Sequence, residues 1–143
     1  MKKVLALICL VCLSVSVFAA CSGAPSNPEE LVGKTYVFDD LTVEFGDSLS
    51  DAQKETAEKM WNENKDTMLE QYKAMELQFA FKENGVVEAS AMGEEEKGTY
   101  EIKDGKWYIT MDGEAQEVEF SGNSFIMSND QNGMILMLKF VLK

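Results

Sequence analysis

Cys9, Cys12 and Cys21 lie within "CLVCLSVSVFAAC" and are all the thiols the chain has. Cys9 and Cys12 form a C-x-x-C pair, the spacing that in a folded cytosolic protein holds zinc or cycles between dithiol and disulfide. Their flanks argue against that chemistry. Met1-Lys2-Lys3 is a short cationic start, Val4 to Phe18 is apolar apart from Ser14 and Ser16, and small Ala19 and Ala20 precede Cys21. That succession is the plan of a secretory signal peptide, and the apolar run is short for a bilayer span. Residues 1–20 are therefore expected to be removed, and Cys9 and Cys12 with them.

The remaining groups able to do chemistry are carboxylates. Asp39-Asp40 or Glu94-Glu95-Glu96 could supply an acid/base pair if one member were desolvated enough to hold its proton. The glutamate run, however, reads as a solvated loop between Gly93 and Gly98. "SNDQNG", Ser128 to Gly133, is similar to the start of a calcium loop. Ser128 stands in place of its first Asp and Lys139 in place of its closing Glu, so it reads as a turn without metal. The chain has no histidine and no arginine, all 13 cations being lysine. The usual general base, the commonest metal ligand and the fork that grips phosphate are thereby missing. No nucleophile, base and orienting group can be assembled, so neither catalytic residues nor a cofactor are assigned and the chain does not read as an enzyme.

The join "VFAAC" resembles the lipobox of bacterial lipoproteins, with Phe18 where that family usually carries Leu. The resemblance implies that Cys21 becomes the first residue of the mature chain and is acylated by chains of the palmitate class. It also implies an extracytoplasmic protein anchored to the cell membrane. Secretion with cleavage near Ala20 and a free Cys21 is the other reading of the same residues. With Cys21 acylated no thiol remains, and no disulfide supports the fold.

Removal of 1–20 leaves 123 of the 143 residues, enough for one domain with its own core. Eleven lysines then face 25 acids, a net charge of 11 − 25 = −14. Such an average repels nucleic-acid backbones and anionic headgroups, so nucleic acid is excluded as a partner and any anchor has to be the lipid. "CSGAPSNPEE" from Cys21, small, polar and holding both prolines, reads as a tether; with Leu31 it makes a segment 21–31, followed by a domain over 32–143.

Within the domain, Thr35 to Phe45 is rich in aromatic and β-branched residues and predicts a strand. Ser50 and Gln53 form a capping box that opens a helix to about Met75. Ala57, Met60, Trp61, Asn64, Met68, Tyr72 and Met75 recur on it at three- and four-residue steps. The period then changes to two. Asn84-Gly85, the Gly93–Gly98 loop, Asp104-Gly105, Asp112-Gly113, Ser121-Gly122-Asn123 and Asn132-Gly133 separate seven more strands, because such dipeptides supply the positive φ of hairpin turns. Phe79/Phe81, Val87/Ala89/Ala91, Tyr100/Ile102, Trp107/Ile109/Met111, Val118/Phe120 and Phe125/Met127 share the inner side. A chain of hairpins has to close or leave two sticky edges. "MILMLKFVL", Met134 to Leu142, is apolar on both faces, and the helix is expected to cover its outer one.

The predicted fold is mainly β, an antiparallel meander of about eight strands closing as a barrel, with one long helix inserted after the first strand. With the entry "LVGKTY", this plan resembles the lipocalin-like domains of bacterial lipoproteins. Gly33 and Tyr36 stand near the family's Gly-x-Trp, one residue further apart and with a different aromatic. The resemblance implies a small apolar or amphipathic ligand. Candidate contacts are Tyr36, Trp61, Met68, Tyr72, Phe79, Ala89, Ala91, Tyr100, Trp107 and Phe120. Ala89 and Ala91 open the interior, whereas Phe79, Phe81, Trp107, Phe120 and Phe125 crowd it. The alternative is a filled barrel that acts non-catalytically against another protein of the cell envelope.

Overall fold

The computed structural model describes residues 23–143, so the expected leader and Cys21 lie outside the described residues. At Asp104-Gly105, Asp112-Gly113 and Asn132-Gly133 both residues have positive φ, as a type I′ hairpin turn requires. Met92-Gly93 has the same geometry with a methionine in the left-handed position. The strands between these turns are β1 (Thr35–Phe45), β2 (Gln78–Phe81), β3 (Val86–Ala91), β4 (Glu94–Lys103), β5 (Lys106–Met111), β6 (Glu114–Ser121), β7 (Ser124–Gln131) and β8 (Met134–Leu142). The glutamate run is thus part of a strand and not a loop. The chain turns two residues earlier, and Ala89 pairs with Glu96.

Each strand pairs antiparallel with the next and β8 returns to β1, so the protein is mainly β, a closed eight-stranded barrel in sequence order. One helix, α1 (Asp51–Ala74), follows β1. The Ser50–Gln53 capping box opens it as expected. β2 pairs with β1 only over Thr35–Val37, whereas β8 follows β1 to Phe45 across a bulge between Phe38 and Asp40. The far half of β1 therefore has β8 on one edge only, and α1 packs alongside β1.

Two expectations change here. The helix does not bury its stripe: no residue of α1 is fully buried, Trp61 and Met68 are half-buried, and Met60 is 61% exposed. Its main neighbour is β1, so it is not a lid over the outer face of β8. Leu41 and Leu136 are buried instead, while outward Ile135, Met137 and Val141 stay half-buried. Six acids and four lysines on 24 residues keep most of α1 in water.

The described part of the expected tether is also not free. Pro25 is buried, Pro28–Leu31 forms a 3-10 turn capped by Asn27, and Leu31 is fully buried. The Trp107 indole Nε1 donates to the Pro25 carbonyl at 3.1 Å. The Tyr100 hydroxyl lies 2.8 Å from the Lys82 carbonyl and 3.2 Å from that of Pro28. The strap of residues 25–31 thus closes one end of the barrel, and the polar atoms of two buried aromatics find partners in doing so.

Candidate functional site

Alternation along the strands sends Tyr36, Phe79, Phe81, Ala89, Ala91, Tyr100, Trp107, Phe120, Phe125 and Phe140 inward, and all are buried. Phe125 is at the centre. Its ring stacks on Phe140 at 4.8 Å, lies 5.2 Å from Tyr36 and from Phe120, and meets Phe79 at 5.7 Å. Phe81 and Tyr100 meet edge to face at 4.9 Å, and Trp107 reaches Phe120 at 5.4 Å. Aromatic quadrupoles favour such edge-to-face contacts, so the rings hold one another in fixed orientations.

Seven of the ten candidate ligand contacts, Tyr36, Phe79, Ala89, Ala91, Tyr100, Trp107 and Phe120, therefore come together, but as one packed core. Burial raises the phenol pKa of both Tyr36 and Tyr100. Tyr72, also raised by burial, joins the rim of this core through Phe38 at 5.5 Å. Trp61 lies about 16 Å further up the helix at 1.5 Å per residue, and Met68 one turn from Tyr72. Ala89 and Ala91 pair with Glu96 and Glu94 on β4, and the smallest residue of that stretch, Gly98, pairs with Val87. A Cβ there would collide with the Thr110 carbonyl and the Met111 sulfur. The room left at Gly98 is thus filled by the neighbouring strand β5.

The open space lies on the outside. The register sets Val37 beside Gln78, Gln78 beside Ser90 and Ser90 beside Glu95, one outward row across four strands. With Phe38, Lys73, Glu76, Leu77, Gly93 and Lys143 this row lines a cleft of about 510 Å³. The cleft is pinned at its rim, where the Met92 N–H donates to the Met75 carbonyl at 2.7 Å, locking the β3–β4 turn to the end of α1. Two lysines, two glutamates, an amide and a hydroxyl can hold a polar or zwitterionic group. The nucleophile, base and orienting set of covalent catalysis is not assembled in this lining. Sequence reasoning missed all of these residues, because the signal lies in pairing across strands, although one of them, Phe38, touches the candidate Tyr72.

Elsewhere the carboxylates serve structure. Lys97 and Lys82 both bond Glu88, at 3.2 Å each, and hold its carboxyl below the usual range. Burial, with Asp112 nearby, pushes the half-buried Glu96 up. Asp130 accepts from the Gly133 N–H at 2.8 Å, so "SNDQNG" closes the β7–β8 hairpin. Among the described residues no group of three or more metal-ligating side chains is gathered, and no helix is long and apolar enough to cross a membrane.

Comparison of the chain with protein-family models, with curated proteins and with solved structures finds no match in any of the three.

Proposed function

We propose that this is a lipid-anchored extracytoplasmic protein, held to the membrane through Cys21, whose lipocalin-like barrel is a rigid, filled support. It acts non-catalytically, through its outer surface, on another component of the cell envelope. The observation that supports this most is the interior. Phe125 is 0% exposed among five other rings, and Leu31 and Pro25 close one end, so a ligand would have to displace packed aromatics. A second reading, favoured by the cleft beside Lys73 and Glu76, is a small amphipathic or zwitterionic ligand held outside the barrel.

Mass spectrometry of the chain isolated from its own host's membranes tests both. The expected result is acylation on Cys21, no co-purifying small molecule, and release into soluble fractions on Cys21→Ala, since stable anchoring takes more than one acyl chain. Unchanged membrane retention of Cys21→Ala would refute the anchor. A stoichiometric apolar ligand would refute the filled support.

A further inference from the structure

We propose that the outer cleft is a docking site for a short extended peptide, free or as an exposed segment of a protein, that carries a cationic group, an acidic group and an apolar side chain. The inference rests on the reading that a filled barrel acts through its outer surface, and it names the place on that surface and the chemistry of the partner.

The first observation is backbone strain at the rim. Among the described residues, the non-glycine positions with positive φ are Asn84, Asp104, Asp112 and Asn132, of types that tolerate it, and Glu76 and Met92, which are not. Glu76 lines the cleft just after α1, and Met92 precedes the lining residue Gly93 in the β3–β4 turn. The hydrogen bond from Met92 to Met75 holds these two segments together. Glycine would adopt either conformation without strain, and asparagine nearly so. Met92 is in addition 75% exposed, more than any other large apolar residue described. Two side chains that the fold disfavours thus stand at the rim of one cleft, where contact with a partner offsets what they cost.

The second, independent observation is that the polar groups of the lining are uncommitted. Elsewhere on the barrel wall Lys82 and Lys97 share Glu88, and Lys106 pairs with Glu117. In the cleft, the side chains of Lys73, Glu76, Gln78, Ser90, Glu95 and Lys143 make no hydrogen bond or ion pair with any described residue. Gln78, Ser90 and Glu95 continue the outward row that begins at Val37, which at about 4.8 Å per strand spans roughly 14 Å, the length of about four extended residues. Glu95 closes this row on β4. Lys143 borders its other end, where the Lys143 N–H donates to the Thr35 carbonyl at 2.9 Å. A peptide laid along the row sets a cation over Glu95 and a carboxylate over Lys143, with its amide groups over Gln78 and Ser90. Phe38, Leu77 and, at the rim, Met92 offer the apolar contact. A phosphocholine headgroup, whose two charges are only a few bonds apart, does not reach both ends.

The test uses the full chain with isotope-labelled methionine methyl groups, reconstituted in phosphatidylglycerol nanodiscs and followed by NMR. It is titrated with a pool of tetrapeptides that each hold one lysine, one glutamate and two apolar residues. The expected result is a saturable shift of the Met92 methyl signal, with the signals of buried Met111 and Met127 unmoved. Glu95→Gln should weaken binding roughly two- to fivefold. Met92→Asn should raise the melting midpoint while weakening binding, because asparagine suits the turn and offers the peptide no apolar surface. A lowered midpoint in Met92→Asn, or unchanged binding in both variants, overturns the role given to the rim. No shift up to millimolar peptide, or a stronger shift with phosphocholine than with any peptide, overturns the peptide site. Blocking both peptide ends separates the two sources: binding that survives supports an internal segment of a protein, and binding that needs free ends supports a free peptide. Shifts at Met111 and Met127 are a different failure: the interior would then take up the ligand, and the filled-support reading would fall and take this site with it.

Discussion

Phe125→Ala is the sharpest probe of whether the barrel is filled. Phe125 has no exposed surface and its ring touches Tyr36, Phe79, Phe81, Phe120 and Phe140 at centroid distances between 4.8 and 6.1 Å. If the neighbours stay in place, a void of about 100 Å³ at ~24 cal/mol per Å³ contributes roughly 2.4 kcal/mol, and lost transfer energy brings the cost to about 3–5 kcal/mol. The surrounding rings are held by one another and by strand pairing, so little collapse is expected and the upper part of that range applies. For a domain of this size the melting midpoint should fall by roughly 10–20 °C. The new cavity is apolar on every side and should stay dry, so it should take up benzene, which the unsubstituted chain should not. Circular dichroism melts with and without benzene read both effects. Phe125→Leu, with a smaller loss on the same scale, keeps the experiment informative if the alanine variant does not fold. A midpoint shift of only a degree or two, or benzene stabilising the unsubstituted chain equally, would refute the packed interior.

The strap should loosen in Trp107→Phe, which keeps one aromatic ring but loses the Nε1–Pro25 hydrogen bond and part of the buried indole volume. The expected cost is about 1 kcal/mol for the hydrogen bond plus a cavity contribution, with faster cleavage after Glu29 or Glu30 by a glutamate-specific protease, and unchanged cleavage would count against the docked strap. Gly98→Ala drives a Cβ into the Thr110 carbonyl and the Met111 sulfur and should cost more than the ~1 kcal/mol of an ordinary mutation, whereas Gly93→Val, where a Cβ meets nothing but φ is +80°, should show backbone strain alone. Comparing the two denaturation midpoints checks that order. Glu88, held low by Lys97 and Lys82, stabilises the fold above the unfolded carboxylate pKa of about 4.3, and that contribution is lost as pH falls through its lower folded value. The melting difference between the chain and Glu88→Gln should be present at pH 7 and vanish in acid; a difference independent of pH would show that the pair does not stabilise the fold.

The strand count and closure were legible because Asn-Gly and Asp-Gly punctuate the chain and apolar residues alternate over most of Phe79 to Met127, although the register also sets Glu94, Glu96, Glu114 and Gln116 opposite inward residues. The β3–β4 turn was misplaced because Met92 occupies a left-handed position that methionine rarely takes, while Gly93 to Gly98 looks like a loop. For the helix, the spacing marked a half-buried side at Ala57, Trp61, Met68, Tyr72 and Met75, while Met60 and Asn64 of the same expected stripe are exposed. Spacing carries no information on depth, and only Tyr72 and Met75 pack against the core. The candidate interior contacts were found for the same reason as the strands, yet their role turned on size matching between strands. Gly98 under Met111 is such a match, and no local pattern announces it. The cleft depends on residues that neighbour one another only through pairing, Val37 with Gln78 and Ser90 with Glu95, and so had no signal along the chain.

Residues 25–31 show how an average can mislead. Small, polar and proline-bearing composition is what a free linker has, and a net charge near −14 is what repels an anionic surface. Neither statement says where in space the residues fall. The buried Trp107 Nε1 needs a partner, and the strap supplies the Pro25 carbonyl, whereas the Tyr100 hydroxyl already has the Lys82 carbonyl at 2.8 Å with that of Pro28 further off at 3.2 Å. Docking the strap has a second effect, since it sets Gly23 against Gly122 in the β6–β7 turn. The packing requirement of one buried indole thereby fixes where residues 25–31 lie on the barrel. A loose tether with the same composition would have had no fixed place on the barrel.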